Sequence, residues 1–142
     1  MTMTKNEIAK KINKKVKGIS RTIKLNFKED FKVGQILTVE KAESWSNGGM
    51  FTVENDREYE YVFICQNEVN VHEVNYNLYE EAETEEDEEY ASAYYEALGT
   101  DEDCSSEQEV LVPEGTKFEI VDISTDSDFE EMGYFEVKVK RI

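Results

Sequence analysis

Glu107 and Glu109 stand two apart in CSSEQEVLVPEGTKFEIV, residues 104–121, where an acidic stretch gives way to an apolar run. Side chains alternate along a strand, so two carboxylates at this spacing point to the same side. Such a pair can divide work. One holds a hydroxyl or a cation, while the other orients a reacting sugar or water. The spacing alone is common in this chain, recurring at Glu58/Glu60, Glu81/Glu83, Glu83/Glu85 and Glu86/Glu88. The pair at 107 and 109 differs in its setting. It enters a strand that runs through VLVP, turns at PEG and returns as TKFEIV.

The elements that must position this pair are mostly strands. ISRTIKLNF alternates, with Ile19, Arg21, Ile23, Leu25 and Phe27 on one face. Arg21 is then a charge on an otherwise apolar inward face, and a charge there needs a partner. QILTV, YEYVFICQ and EVNVHEV read as further strands, as do EVLVP, TKFEIVDIS and YFEVKVKRI, the last two as antiparallel neighbours. Gly34 marks a turn or a close backbone approach, and SNGG a tight turn. TKNEIAKKINKKVKG, residues 4–18, places Ile8, Ile12 and Val16 four apart. With Thr4 and Glu7 as a capping box and Gly18 as a stop, it predicts an N-terminal helix. Tyr90, Ala93, Tyr94, Ala97 and Leu98 predict a helix over 88–98 that ends at Gly99. Glu80 to Glu89 reads as a loop or an exposed helical turn. The expected fold is α+β and β-rich, with six to seven strands.

Length suits one domain. We divide the chain into a basic helix, 1–18, and a domain, 19–142, with an acidic insertion at 78–106. Charge separates these parts. Residues 1–28 carry nine Lys or Arg against Glu7 alone, and residues 80–109 carry fourteen acids and no base. The net charge of -17 repels nucleic acid and anionic membranes and favours a basic partner surface. Cys65 reads as a buried thiol and Cys104 lies in the acidic run, so no disulfide framework is expected. No segment reads as a membrane span or a secretion signal, and a cytoplasmic location is expected. With His72 the single histidine, a His-rich metal site is not expected, and His72 reads as structural. Neither zinc spacing nor a phosphate-binding glycine loop occurs, so no metal is expected.

Three motifs, in order and on strands, carry a family resemblance. They are Arg21 in ISRTIKL, Ser44-Trp45-Ser46 in ESWSNGGMF, and Glu107-Gln108-Glu109 in EQEVLVPEG. Together they resemble the mono-ADP-ribosyltransferases of the Arg-Ser-Glu class, which include bacterial toxins and phage enzymes. Gly34, between the first two motifs, is also typical. Trp45 departs from the threonine usual at that place, and fewer residues than usual precede the arginine strand. The resemblance covers residue 19 to the C-terminus and implies a split pair of β-sheets with NAD in the cleft between them. It implies Arg21 on an NAD phosphate, Ser44 on the nicotinamide ribose or supporting the cleft, and Ser46 orienting Glu109. Glu109 would stabilise the oxocarbenium ion, and Glu107 would activate the acceptor. A Glu at that last position goes with arginine acceptors. Phe51 is implied as the residue stacking on nicotinamide, with Trp45 as its alternative. The segment before Glu107 would read an arginine-rich target protein. The resemblance leaves open whether ADP-ribose is transferred or NAD is hydrolysed. A different reading of the acid is a non-catalytic inhibitor that mimics nucleic acid and covers a partner's basic surface.

Overall fold

The computed structural model describes residues 2–48, 59–100 and 108–142. Among these residues, nine strands form one hydrogen-bonded sheet. In chain order they are β1 (Lys14–Lys17), β2 (Ser20–Leu25), β3 (Ile36–Thr38), β4 (Glu43–Ser46) and β5 (Tyr59–Cys65), then β6 (Glu68–Glu73), β7 (Glu109–Val112), β8 (Lys117–Ile123) and β9 (Phe135–Arg141). Their spatial order is β1-β6-β7-β4-β2-β5-β9-β8-β3. The sheet is split in the middle. Strands β2 and β4 meet at one residue pair, Ser20 with Ser46, whereas β2 and β5 pair along six residues. One half is therefore β1-β6-β7-β4 and the other is β2-β5-β9-β8-β3. The fold is α+β and strand-rich, as expected, with its two halves joined by that single pair.

Alternation along the strands explains how the halves pack. Tyr61, Phe63 and Cys65 of β5 and Phe135, Val137 and Val139 of β9 are buried in one cluster with Trp45, Val110 and Val112 of the other half. Aromatic contacts fill this interior. Phe31 sets its edge on Tyr61 and Phe63, with ring centres 5.1 and 5.4 Å away, and Trp45 lies tilted on Phe118 at 5.1 Å. Each such pair contributes about 0.5–1.5 kcal/mol beyond its burial. The opposite face of the first half is covered by helices. Ile8 and Ala9 of α1 (Lys5–Ala9) pack there with Leu111 and with Ala91, Tyr94, Tyr95 and Leu98 of α3 (Glu85–Leu98).

The N-terminal helix is shorter than its sequence predicts. Thr4 does cap it, accepting from the Glu7 N–H, but the helix ends at Ala9. Lys14–Lys17 instead form an edge strand paired with Val71 through Glu68. Val16 goes into the sheet core, and Ile12 is exposed. A longer helix would stack Lys10 on Lys14 and Lys11 on Lys15, like charges at the destabilising spacing. Strand pairing gives the same residues a buried valine and backbone partners. The basic segment expected as one helix over 1–18 thus gives, among its described residues, a short helix at Lys5–Ala9 and an edge strand at Lys14–Lys17.

The acidic run is more regular than a loop. Leu78–Glu81 form the short helix α2, and α3 starts at Glu85 behind a capping box of Thr84 and Asp87. Four acids in its first turn complement the positive end of the helix dipole. The helix stops at Gly99, whose φ of 65° is the left-handed conformation a glycine adopts without strain. A fourth helix, α4 (Asp126–Met132), lies between β8 and β9 behind a second capping box, Thr125 with Asp128. Periodicity in the sequence does not reveal α4, β1 or β4. No helix among the described residues is long and apolar enough to cross a membrane.

Candidate active site

Strands β4 and β7 build the site. They run antiparallel, with Ser46 opposite Glu109, Trp45 opposite Val110 and Ser44 opposite Leu111. Ser44, Ser46 and Glu109 therefore share the helix-covered face, while Trp45, Val110 and Val112 face the aromatic interior. Glu109 is 5% exposed and Ser46 fully buried. Ionisable groups at such burial are found where their charge is paired or hydrogen-bonded.

The pairing is specific. The Ser44 hydroxyl donates to Glu109 Oε2 at 2.5 Å and accepts from Lys5 Nζ at 2.7 Å. Arg21 Nη1 donates to the Ser44 carbonyl at 2.9 Å. One serine thus links two cations and one carboxylate. The backbone of Glu109 is held as well. Its N–H donates to the Tyr76 hydroxyl at 3.0 Å, and its carbonyl accepts from the Val74 N–H at 3.1 Å. Burial lowers the pKa of the Lys5 ammonium, while the Glu109 carboxylate pulls it back up. Arg21 pushes it down further and Glu43 raises it.

Gln108, just before Glu109, has a φ of 48°. Few residues other than glycine adopt this conformation, and they cluster at functional sites. Its carbonyl accepts from the Asn47 N–H at 3.0 Å, so the turn after β4 and the entry to β7 are latched together. Gly48, next after Asn47 in the chain, has a φ of 109°, a conformation glycine adopts without strain.

Two cavities flank this junction. One, of about 510 Å³, is polar and takes in Glu109, Gln108, Asn47, Tyr76 and Asn75. The other, of about 360 Å³, lies between the half-sheets and takes in Arg21, Glu43, Trp45, Phe63 and Phe118. Both sizes fall in the range of small-molecule sites. Arg21 and Glu109 thus line different cavities and are joined through Ser44.

The sequence-derived candidates are distributed as follows. Arg21, Ser44, Ser46 and Glu109 come together, with Ser44 in direct contact with the Glu109 carboxylate. Trp45 is 3% exposed and packed in the core, where its indole N–H donates to Glu43 Oε1 at 3.2 Å. Glu107 and Phe51 lie outside the described residues. Lys5, Tyr76, Asn47 and Gln108 also belong to the site, and sequence reading did not single them out. Only Gln108 carried a signal, its place inside the Glu-x-Glu motif. His72 is buried, as a structural histidine would be. Its Nδ1 lies 2.8 Å from the Lys11 carbonyl and its Nε2 lies 2.7 Å from the Tyr94 hydroxyl. The first contact requires a proton on Nδ1, so Nε2 accepts. Among the described residues no cluster of three or more His, Cys, Asp or Glu could hold a metal.

In shape the chain is similar to solved ADP-ribosyltransferases. Vis, an ADP-ribosyltransferase from Vibrio splendidus, in complex with agmatine is 14% identical, with a TM-score of 0.47 over 90% of this chain and 50% of that one. The type III effector XopAI from Xanthomonas axonopodis pv. citri is 14% identical, with a TM-score of 0.47 over 96% of this chain and 44% of that one. C3larvin toxin, an ADP-ribosyltransferase from Paenibacillus larvae, is 11% identical, with a TM-score of 0.46 over 92% of this chain and 63% of that one. The chain spans about half the length of the first two of these structures. No protein-family model matches the chain, and no curated protein matches it. Likeness at this level is one of shape, and the chemistry has to be read from the residues themselves.

Proposed function

We propose that the chain is an NAD-dependent mono-ADP-ribosyltransferase that modifies an arginine of a target protein. The observation that carries this reading is the Ser44 hydroxyl held on a buried Glu109 carboxylate, with Arg21 on the same serine's carbonyl. These are the three residue types of the Arg-Ser-Glu motif, linked across β2, β4 and β7 through Ser44. A surface decoy that worked by charge alone would have no use for a carboxylate buried and bonded in this way.

The chemistry follows from charge. The bond between the ribose C1′ and the nicotinamide nitrogen breaks, its electron pair stays on nitrogen, and nicotinamide leaves neutral. Positive charge then develops on the ribose. Glu109, bonded to a ribose hydroxyl, stabilises that charge electrostatically. Arg21 has one hydrogen bond to a described residue, and its planar fork of donors suits a phosphate of NAD. An acceptor nitrogen attacks C1′ and passes its proton to Glu107. Transfer, rather than hydrolysis alone, requires that acceptor to exclude water. Glu85, Glu88, Glu89 and Glu96 line one side of α3, a surface that would attract a basic target and raise its association rate. We place the reaction in the cytoplasm, that of a host if the chain is a phage or bacterial effector.

The test is mass spectrometry of candidate basic proteins after incubation with NAD. The expected result is an ADP-ribose adduct on arginine, lost with Glu109→Gln. Adducts confined to other residue types would contradict the arginine assignment, and an equal adduct yield from Glu109→Gln would contradict the assigned site.

A further inference from the structure

Lys5 stands apart from the other lysines of the basic N-terminus. Lys10 pairs with Glu114 and Lys14 with Glu73, both at exposed positions, where ion pairs contribute little. Lys5 is drawn inward, and its ammonium ends on the Ser44 hydroxyl. The helix that carries it is anchored on two sides. Asn6 Oδ1 accepts from the Ala42 N–H at 2.6 Å, just ahead of β4, and Ile8 and Ala9 are fully buried beside Leu111.

The direction of the hydrogen bonds is forced. An ammonium only donates and an ionised carboxylate only accepts. Ser44, between them, must accept from Lys5 and spend its single proton on Glu109. Bonds in such a chain polarise one another in a site shielded from water. Without the ammonium, the hydroxyl is free to rotate toward another acceptor. Glu109, 5% exposed, would then face burial with less support for its charge and would take up a proton more readily. Among the described residues, the other charged or titratable groups around this link are Arg21, on the Ser44 carbonyl, Glu43, on the same strand as Ser44, and, on the Glu109 side, Tyr76 and Tyr94.

We propose that Lys5 is a positioning residue of this site: through Ser44 it holds the Glu109 carboxylate ionised and in one orientation. The proposal rests on the reading that Glu109 acts on the ribose of NAD, because only the ionised form stabilises an oxocarbenium ion.

Two readouts test it on the full chain, one catalytic and one not. The first is NAD cleavage against pH for Lys5→Met and Lys5→Arg. In Lys5→Met, kcat near neutral pH should fall about tenfold, the effect of one lost charge-assisted hydrogen bond. KM for NAD should stay within about twofold, since ground-state binding is not the point of action. The acid limb of the profile should move to higher pH, and Lys5→Arg should restore most of the loss. The second readout is the Glu109 carboxyl carbon resonance, followed by NMR through an acid titration. Its midpoint should rise in Lys5→Met and in Ser44→Ala, which cuts the same link, and the double variant should add little. An unmoved midpoint and an unmoved acid limb in Lys5→Met would overturn the proposal. If Lys5→Met does not fold, Lys5→Gln, which also removes the ammonium, takes its place in the titration and decides in the same way. If the chain cleaves no NAD, the transferase reading fails, and the carboxyl titration still decides whether Lys5 controls Glu109.

Discussion

The two halves of the split sheet bury different things. The half built from β2, β5, β9, β8 and β3 gives the interior aromatic and aliphatic side chains such as Tyr61, Phe63, Ile120, Phe135 and Val137, and its one buried polar residue among those described is Thr22. The half built from β1, β6, β7 and β4 also buries valines, but it adds Ser46, His72 and Glu109. A scaffold gains most from apolar burial, at about 25 cal/mol per Å². Buried polar groups return little net stability even when paired. Concentrating them on one half marks that half as the part shaped for chemistry, with the other as its support. The join at Ser20–Ser46 puts Arg21 of the supporting half within reach of Ser44.

Substitutions should separate the halves by kind as well as by size. Ile120 is fully buried in the supporting half, and Ile120→Ala should lower unfolding free energy by about 2–5 kcal/mol. Urea denaturation would measure this, and NAD cleavage per folded molecule should not change. A large loss of specific activity with little loss of stability would erase the distinction between support and site.

A smaller effect belongs to His72 in the other half. Burial lowers its pKa from 6.5, with the Lys11 carbonyl opposing that shift and Lys11 and Glu73 adding smaller charge effects. The folded state therefore keeps His72 neutral while the unfolded chain takes up a proton below that value. Stability from this group is complete above pH 6.5 and declines as pH falls from there through the folded pKa. The urea midpoint should fall between about pH 7.5 and 5.5, the range in which histidine titrates. His72→Gln should flatten that slope, and since the chain has no other histidine, an unchanged slope would assign it elsewhere.

How much of this was legible in the sequence depended on the range of the interactions. Period-two alternation placed Arg21 on the inward face and located β5, β7, β8 and β9, because burial of one face is a local signal. Gly99 announced the end of α3 for the same reason. The sequence predicts too long an N-terminal helix because the residues that decide it, Val69 and Val71 of β6, lie more than fifty positions away from Val16. Strand β4 has only four residues, ESWS, with no apolar alternation, so it was visible through the Ser-x-Ser motif and not through periodicity. The Ser44 hydroxyl reaches the Glu109 carboxylate, a contact the sequence does not assign, because Ser44 and Ser46 lie on one strand face with Glu109 and look alike in sequence. Lys5 was invisible as a site residue. Nothing near it in sequence says that its helix docks against β4.

The central claim is that the buried Glu109 carboxylate drives cleavage of NAD. Nicotinamide release, measured with the wild-type chain and Glu109→Gln at matched folded concentration, tests it most directly. Release by the wild type is expected, with a loss of at least about a hundredfold in the variant, the size expected for removing a group that stabilises transition-state charge. The unfolding midpoint should stay the same or rise, because a neutral amide is easier to bury than a carboxylate. Equal release by the two proteins, or none from the wild type with arginine-bearing acceptors present, would contradict it.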